Sequence, residues 1–124
     1  MMKSVIEEHD SICVIRLDGK LDIGIGDVHL CKQLDEAMDR GFTNIVVDMH
    51  KVSYADSSGI GELVNTYIKL QNNGVELCLA NLHTKLYDLL SLTRLITVLP
   101  IFDSVEDAML NLYSKIQPRL AAVG

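Results

Sequence analysis

Apolar and polar positions alternate along the chain with two periods, one strand-like and one helical, and the two take turns. Val5 to Glu8 and Ile12 to Leu17 are short runs rich in β-branched residues. His9-Asp10-Ser11 separates them, and together they predict an N-terminal β-hairpin. The stretch Asp18 to Asp27 is rich in Gly and Asp and predicts a loop. Asp27 is placed to cap a helix running to about Arg40, with Val28, Cys31, Leu34, Ala37 and Met38 on one face and Gly41 as its stop.

Asn44 to Met49 is nearly continuous in apolar residues, which suits a strand covered on both faces. Lys51 to Ser58 then predicts a loop, and Ile60, Leu63, Val64, Tyr67 and Ile68 recur at helical spacing up to Asn72-Asn73-Gly74. Val75 to Ala80 predicts a further strand. Leu82, Leu86, Leu89 and Leu90 predict a third helix. Ile96 to Phe102 predicts a last short strand, bent by Pro100. Val105, Ala108, Met109, Leu112 and Ile116 predict a final helix, with Pro118 near its end. The order β-β-α-β-α-β-α-β-α implies an α/β fold. Its sheet is mixed but mainly parallel, with about four helices and the hairpin as an antiparallel edge. A chain of 124 residues fits one domain, with a core from about residue 5 to residue 116.

Composition narrows the function classes. The net charge of −6 has the wrong sign for nucleic acid. An acidic surface suits docking onto a basic protein patch. The most apolar region, Leu82 to Phe102, is interrupted by His83, Lys85, Asp88 and Arg94 and predicts no membrane insertion. The first residues contain no apolar run of signal-peptide length. Cys13, Cys31 and Cys78 are odd in number and form no CxxC pair. They argue against a disulfide framework or a metal site and for small core residues in a reducing compartment. The expected setting is the cytoplasm.

The chemistry concentrates at Asp56-Ser57-Ser58-Gly59-Ile60-Gly61, where a strand pattern passes into a helix pattern. In α/β sheets, ligands and partners meet the loops at the carboxyl ends of strands. One reading is capping: Ser and Asp are preferred N-caps, each worth roughly 1 kcal/mol. One serine suffices for that, and neither is followed by Glu or Gln three residues later. The other reading is a phosphorylatable serine at a helix N-terminus. Gly59 and Gly61 would then keep side chains away from the hydroxyl and let a partner approach the backbone. A phosphate adds about −1.5 to −2 charges, and no basic residue stands close by in sequence. Both readings fit the residues.

Other chemistries fail on spacing. The stretch is neither GxGxxG nor GxSxG, and no GxxxxGK[ST] occurs, so no nucleotide cofactor is implied. His9, His29, His50 and His83 show no metal-ligand spacing. A serine-dependent enzyme would need a histidine brought to Ser57 or Ser58 by the fold.

Asp56-Ser57-Ser58-Gly59 after Asn44–Met49, with Gly19-Lys20-Leu21-Asp22 upstream and Ser104-Val105-Glu106-Asp107-Ala108 downstream, resembles the STAS domains, and within them the bacterial anti-sigma factor antagonists. The resemblance spans Val5 to Leu112. It implies a protein that binds an anti-sigma factor, itself a serine kinase, and so frees the sigma factor. It implies phosphorylation of Ser57 as the off-switch, a PP2C-type phosphatase as the reset, and no cofactor, metal or catalytic residue. Ser58 is then left as the helix cap. Partner contacts are expected from Asp22, Tyr54, Asp56, Ser57, Ser58, Gly59, Glu62 and Asn65, with Lys69 on the same helix face. A turn-forming role for Asp22 fits its residue type equally well. Stressosome-like scaffolds and soluble subunits of lipid transporters use the same domain and form the alternative reading. Lys20, Arg94, Glu62 and the glycine-rich loop from Ile23 to Asp27 depart from the family pattern and bear on which partner is bound.

Overall fold

The computed structural model describes residues 2–22 and 26–123, with side chains for all of these except Asp27 and residues 117–123. Strands β1 (Lys3–His9) and β2 (Ile12–Leu21) form the hairpin. Asp10 turns the chain with φ 55°, a left-handed conformation that Asp tolerates better than most residues. Then follow α1 (Gly26–Asp39), β3 (Asn44–Ala55), α2 (Ser57–Asn72), β4 (Glu76–Ala80) and α3 (Thr84–Leu92). A short 3-10 turn (Leu95–Thr97), β5 (Ile101–Phe102) and α4 (Val105–Val123) complete the order.

The five strands lie in the order β1-β2-β3-β4-β5. β1 runs antiparallel to β2 and every other neighbour pair is parallel. Successive right-handed crossovers that step the same way across a sheet put their helices on one face. α1, α2 and α3 therefore share a face, and α4 returns across the other. Side chains alternate between the faces. Ile15, Leu17, Ile45, Val47, Leu77 and Leu79 meet Leu34, Leu63 and Leu90 on the three-helix side. Ile12, Val14, Val46, Cys78 and Ala80 meet Val105, Ala108 and Leu112 of α4 on the other. This is why Asn44–Met49 reads as a nearly continuous apolar run.

Cys13 and Cys78 are buried in these layers, as expected for small core residues, and Cys31 is half-buried. Desolvation pushes the Cys78 thiol up to about 11. Among the described residues no helix is long and apolar enough to cross a membrane.

Several boundaries differ from the sequence reading. β2 continues through Asp18-Gly19-Lys20-Leu21, where a loop was expected, and β3 continues to Ala55, so the expected loop Lys51 to Ser58 shrinks to Asp56. Mutual pairing is the cause: Asp18↔Lys51, Gly19↔Val52, Lys20↔Tyr54 and Leu21↔Ala55 extend the parallel ladder through polar sequence. Extra residues in β3, between Asp48 and Lys51 and between Val52 and Tyr54, bulge the strand there. α1 begins one residue before Asp27, so Asp27 lies inside the helix and does not cap it. The rest of the glycine-rich loop, residues 23–25, lies outside the described residues. The last strand is confined to Ile101–Phe102, because residues 95–97 coil instead. Arg94 enters that coil with φ 60°, a left-handed conformation that glycine takes without strain and arginine rarely adopts.

Candidate functional site

The strand ends Leu21 and Ala55 stand side by side at the carboxyl edge of the sheet. Each is followed by an aspartate, and each aspartate anchors a helix. The Asp22 carboxylate accepts from the Gly26 amide at 3.0 Å, at the start of α1. The Asp56 carboxylate accepts from the Gly59 amide at 2.6 Å, at the start of α2. Asp56 has extended backbone angles (φ −94°, ψ 169°), and its carbonyl accepts from Ile60 at 3.0 Å. That is the geometry of an N-cap.

The cap is therefore Asp56, where Ser58 was expected. Its carboxylate carries a full charge toward the positive end of the helix, which a hydroxyl cannot match. Ser57 and Ser58 occupy the first turn of α2, and both are exposed. Neither is hydrogen-bonded through its side chain to another described residue. Gly59 also needs correction. It is buried, and a Cβ there would run into the Leu21 carbonyl oxygen and sit 3.2 Å from Asp56 Oδ1. Gly59 is glycine because α2 packs on the end of β2, so it offers no surface to a partner. Gly26 makes the same close approach to the Lys20 carbonyl at the start of α1. Around Gly61 a Cβ would meet nothing within 4 Å, so that glycine does leave its helix face open.

Tyr54 is 49% exposed beside this turn. Glu62, Asn65 and Lys69 are exposed along α2, and Asp22 is partly covered. The register also brings in a residue that spacing along the chain did not reveal: Lys20 lies directly across from Tyr54. The turn thus has a basic neighbour after all. The histidines are engaged elsewhere. His9 bonds Glu7 at 3.1 Å, His29 bonds Ser4 at 2.8 Å, and His83 Nε2 donates to the Val52 carbonyl at 2.8 Å. The His50 ring is exposed. None of them is hydrogen-bonded to Ser57 or Ser58. Among the described residues no cluster of three or more His, Cys, Asp or Glu is arranged to hold a metal.

A family model described as STAS domain matches residues 3–108. The chain belongs to the STAS domain family. The anti-sigma F factor antagonist of Paenibacillus polymyxa is 29% identical over 108 residues, covering 86% of this chain and 92% of that one. Among solved structures, the anti-sigma factor antagonist SpoIIAA in its unphosphorylated form covers 90% of this STAS chain and 98% of its own, with a TM-score of 0.64 at 20% identity. SpoIIAA of Bacillus in its phosphorylated form gives 0.64 at 21% identity, covering 89% and 99%. The murine anion transporter Slc26a9 also matches, with a TM-score of 0.75 at 22% identity, over 87% of this chain and 18% of the transporter. At these identities the structural matches establish the STAS fold.

A second polar cluster lies on the α4 side of the sheet, and the sequence reading did not pick it out. Asp48 points to the face where Val46 meets α4, yet it lies nearer the carboxyl edge. It is 6% exposed. Its Oδ2 takes Arg16 at 2.7 Å, while Oδ1 takes the His50 amide at 3.0 Å and Asn81 Nδ2 at 2.9 Å. Arg16 also grips Glu7 at 2.8 and 3.2 Å, so three strands are tied across one face. The available signal was a carboxylate inside a strand that reads as buried on both sides; such a group requires partners.

Burial raises the Asp48 carboxyl pKa, but the bonds from Asn81, the His50 amide and Arg16 outweigh it and hold the group below its ordinary value. The Arg16 and His9 bonds lower Glu7 as well. Depressed carboxyls contribute stability that is present above their unfolded pKa, near 4, and lost as pH falls through the folded value. The melting temperature should therefore stay flat from pH 7 to about 5 and drop below about 4. Asp48→Asn should cost about 1–3 kcal/mol at pH 7 and flatten that acid slope. Thermal melts across the pH range check both, and an unchanged slope in the variant would clear Asp48 of the effect.

Proposed function

We propose that this STAS protein is an anti-sigma factor antagonist switched by phosphorylation at Ser57. In this reading the unphosphorylated form captures an anti-sigma factor that is also a serine kinase, and the sigma factor is released. The kinase phosphorylates Ser57, the complex separates, and a PP2C-type phosphatase restores binding. The protein is a binding partner and a kinase substrate in the cytoplasm, with no catalysis of its own.

One observation carries the assignment. Ser57 is an exposed hydroxyl in a first helical turn whose cap is already supplied by Asp56. Its hydroxyl has no hydrogen-bond partner among the described residues, so a change in its charge acts chiefly on whatever docks there. The role named for the Paenibacillus relative supports the same reading.

Incubation with ATP and the host's anti-sigma kinases, followed by mass spectrometry, tests it. The expected result is one phosphate on Ser57, and none on Ser57→Ala, which still binds the kinase. No phosphate with any of these kinases would instead favour a scaffold role within a larger STAS assembly.

A further inference from the structure

β4 ends at Ala80, opposite Asp48, but β3 runs on to Ala55. The chain after β4 follows this overhang only part of the way. Asn81 bonds Asp48, and His83 bonds the Val52 carbonyl. Beyond that point no described strand pairs with this side of β3. Between the strand end and α3 lies an open groove of about 330 Å³. Its apolar floor is made by Ala55, buried Leu86 and half-buried Leu89. Its rim carries Tyr54, His83 and exposed Lys85, and no carboxylate lines it. That is unusual on a chain of net charge −6. The groove reaches Ala55, two residues before Ser57.

We propose that this groove seats an extended, acidic and apolar segment of the same serine kinase that acts on Ser57. The inference rests on the function proposed above and enlarges its docking surface from α2 to α3. The chemistry selects the occupant. An apolar side chain fits the leucine floor, a neighbouring carboxylate meets Lys85, and the segment's backbone lies along the unpaired end of β3. Ser57 then sits between two contact areas, the exposed face of α2 and the α3 groove. Groups central to an interface are the most fully desolvated, so a charge placed there is felt most strongly.

The test is calorimetric titration of the full chain with the host's anti-sigma kinase in the presence of a non-hydrolysable ATP analogue. Lys85→Glu should lower affinity about tenfold or more, and Lys85→Gln should lower it less. Both substitutions are at an exposed position, so melting temperatures should match the unchanged chain. Leu89→Ser should also weaken binding, with its fold checked by circular dichroism. If the unchanged chain binds the kinase and Lys85→Glu binds it equally well, the groove proposal fails and the switch at Ser57 stands. If no kinase binds the unchanged chain, both fail.

Discussion

Ser57→Asp should lower affinity for the anti-sigma kinase by roughly 30-fold to several-thousand-fold, while Ser57→Ala binds as the unchanged chain does. The range corresponds to about 2–5 kcal/mol for a charge buried unpaired in an interface. The fold itself should tolerate the change. A negative charge at a helix N-terminus gains roughly 0.3–2 kcal/mol from the dipole. Here that gain is reduced, because Asp56 already takes the Gly59 amide and Asp22 stands at the end of the neighbouring strand. Lys20, across from Tyr54, is exposed, and an exposed ion pair is worth about 0–1 kcal/mol. It cannot offset the interface cost. Melting temperatures of the Ala and Asp variants should therefore lie close together while their affinities separate widely. Equal affinities would sink the switch.

Gly59→Ala should destabilise the fold by about 2 kcal/mol or more, and Gly61→Ala should stabilise it by about 0.5–1 kcal/mol. The two glycines are two residues apart in the same helix, so propensity alone would favour Ala at both. At Gly59 the new methyl group meets a backbone carbonyl, Leu21, which cannot swing aside as a side chain could. Overpacking of this kind costs typically 1–3 kcal/mol, and a backbone obstacle places it toward the top. At Gly61 an added methyl group meets no described residue within 4 Å outside its own helix backbone. For a chain of this length the melting temperature should fall by roughly 6–10 °C in the first variant and rise by a few degrees in the second. A stabilised Gly59→Ala would show that the start of α2 does not pack on the end of β2 as described.

Much of the fold was legible because burial and periodicity are local properties of a sequence. Asn44 to Met49 could be read as a strand buried on both faces, and it is, with Ile45 and Val47 on one side and Val46 on the other. The helices around Leu34, Leu63 and Leu112 were equally plain. The polar ends of β2 and β3 were not. Lys20 and Tyr54 carry no strand period of their own; they are strand because each lies beside the other from a distant segment.

At the site, the same division holds. The sequence by itself determined that an acid, two hydroxyls and two glycines stand where a strand passes into a helix. It did not assign their tasks. Asp56 rather than Ser58 caps α2 because a carboxylate satisfies a helix amide more strongly than a hydroxyl, and only the backbone angles show which side chain reaches Gly59. Gly59 is buried and Gly61 open because one faces the end of β2 and the other faces away. Lys20 and Lys85 come near the turn through the strand register and the placement of α3, neither of which spacing along the chain encodes. Sequence chose the residues; the packing of two helix starts on one strand end decided which are buried and which are exposed.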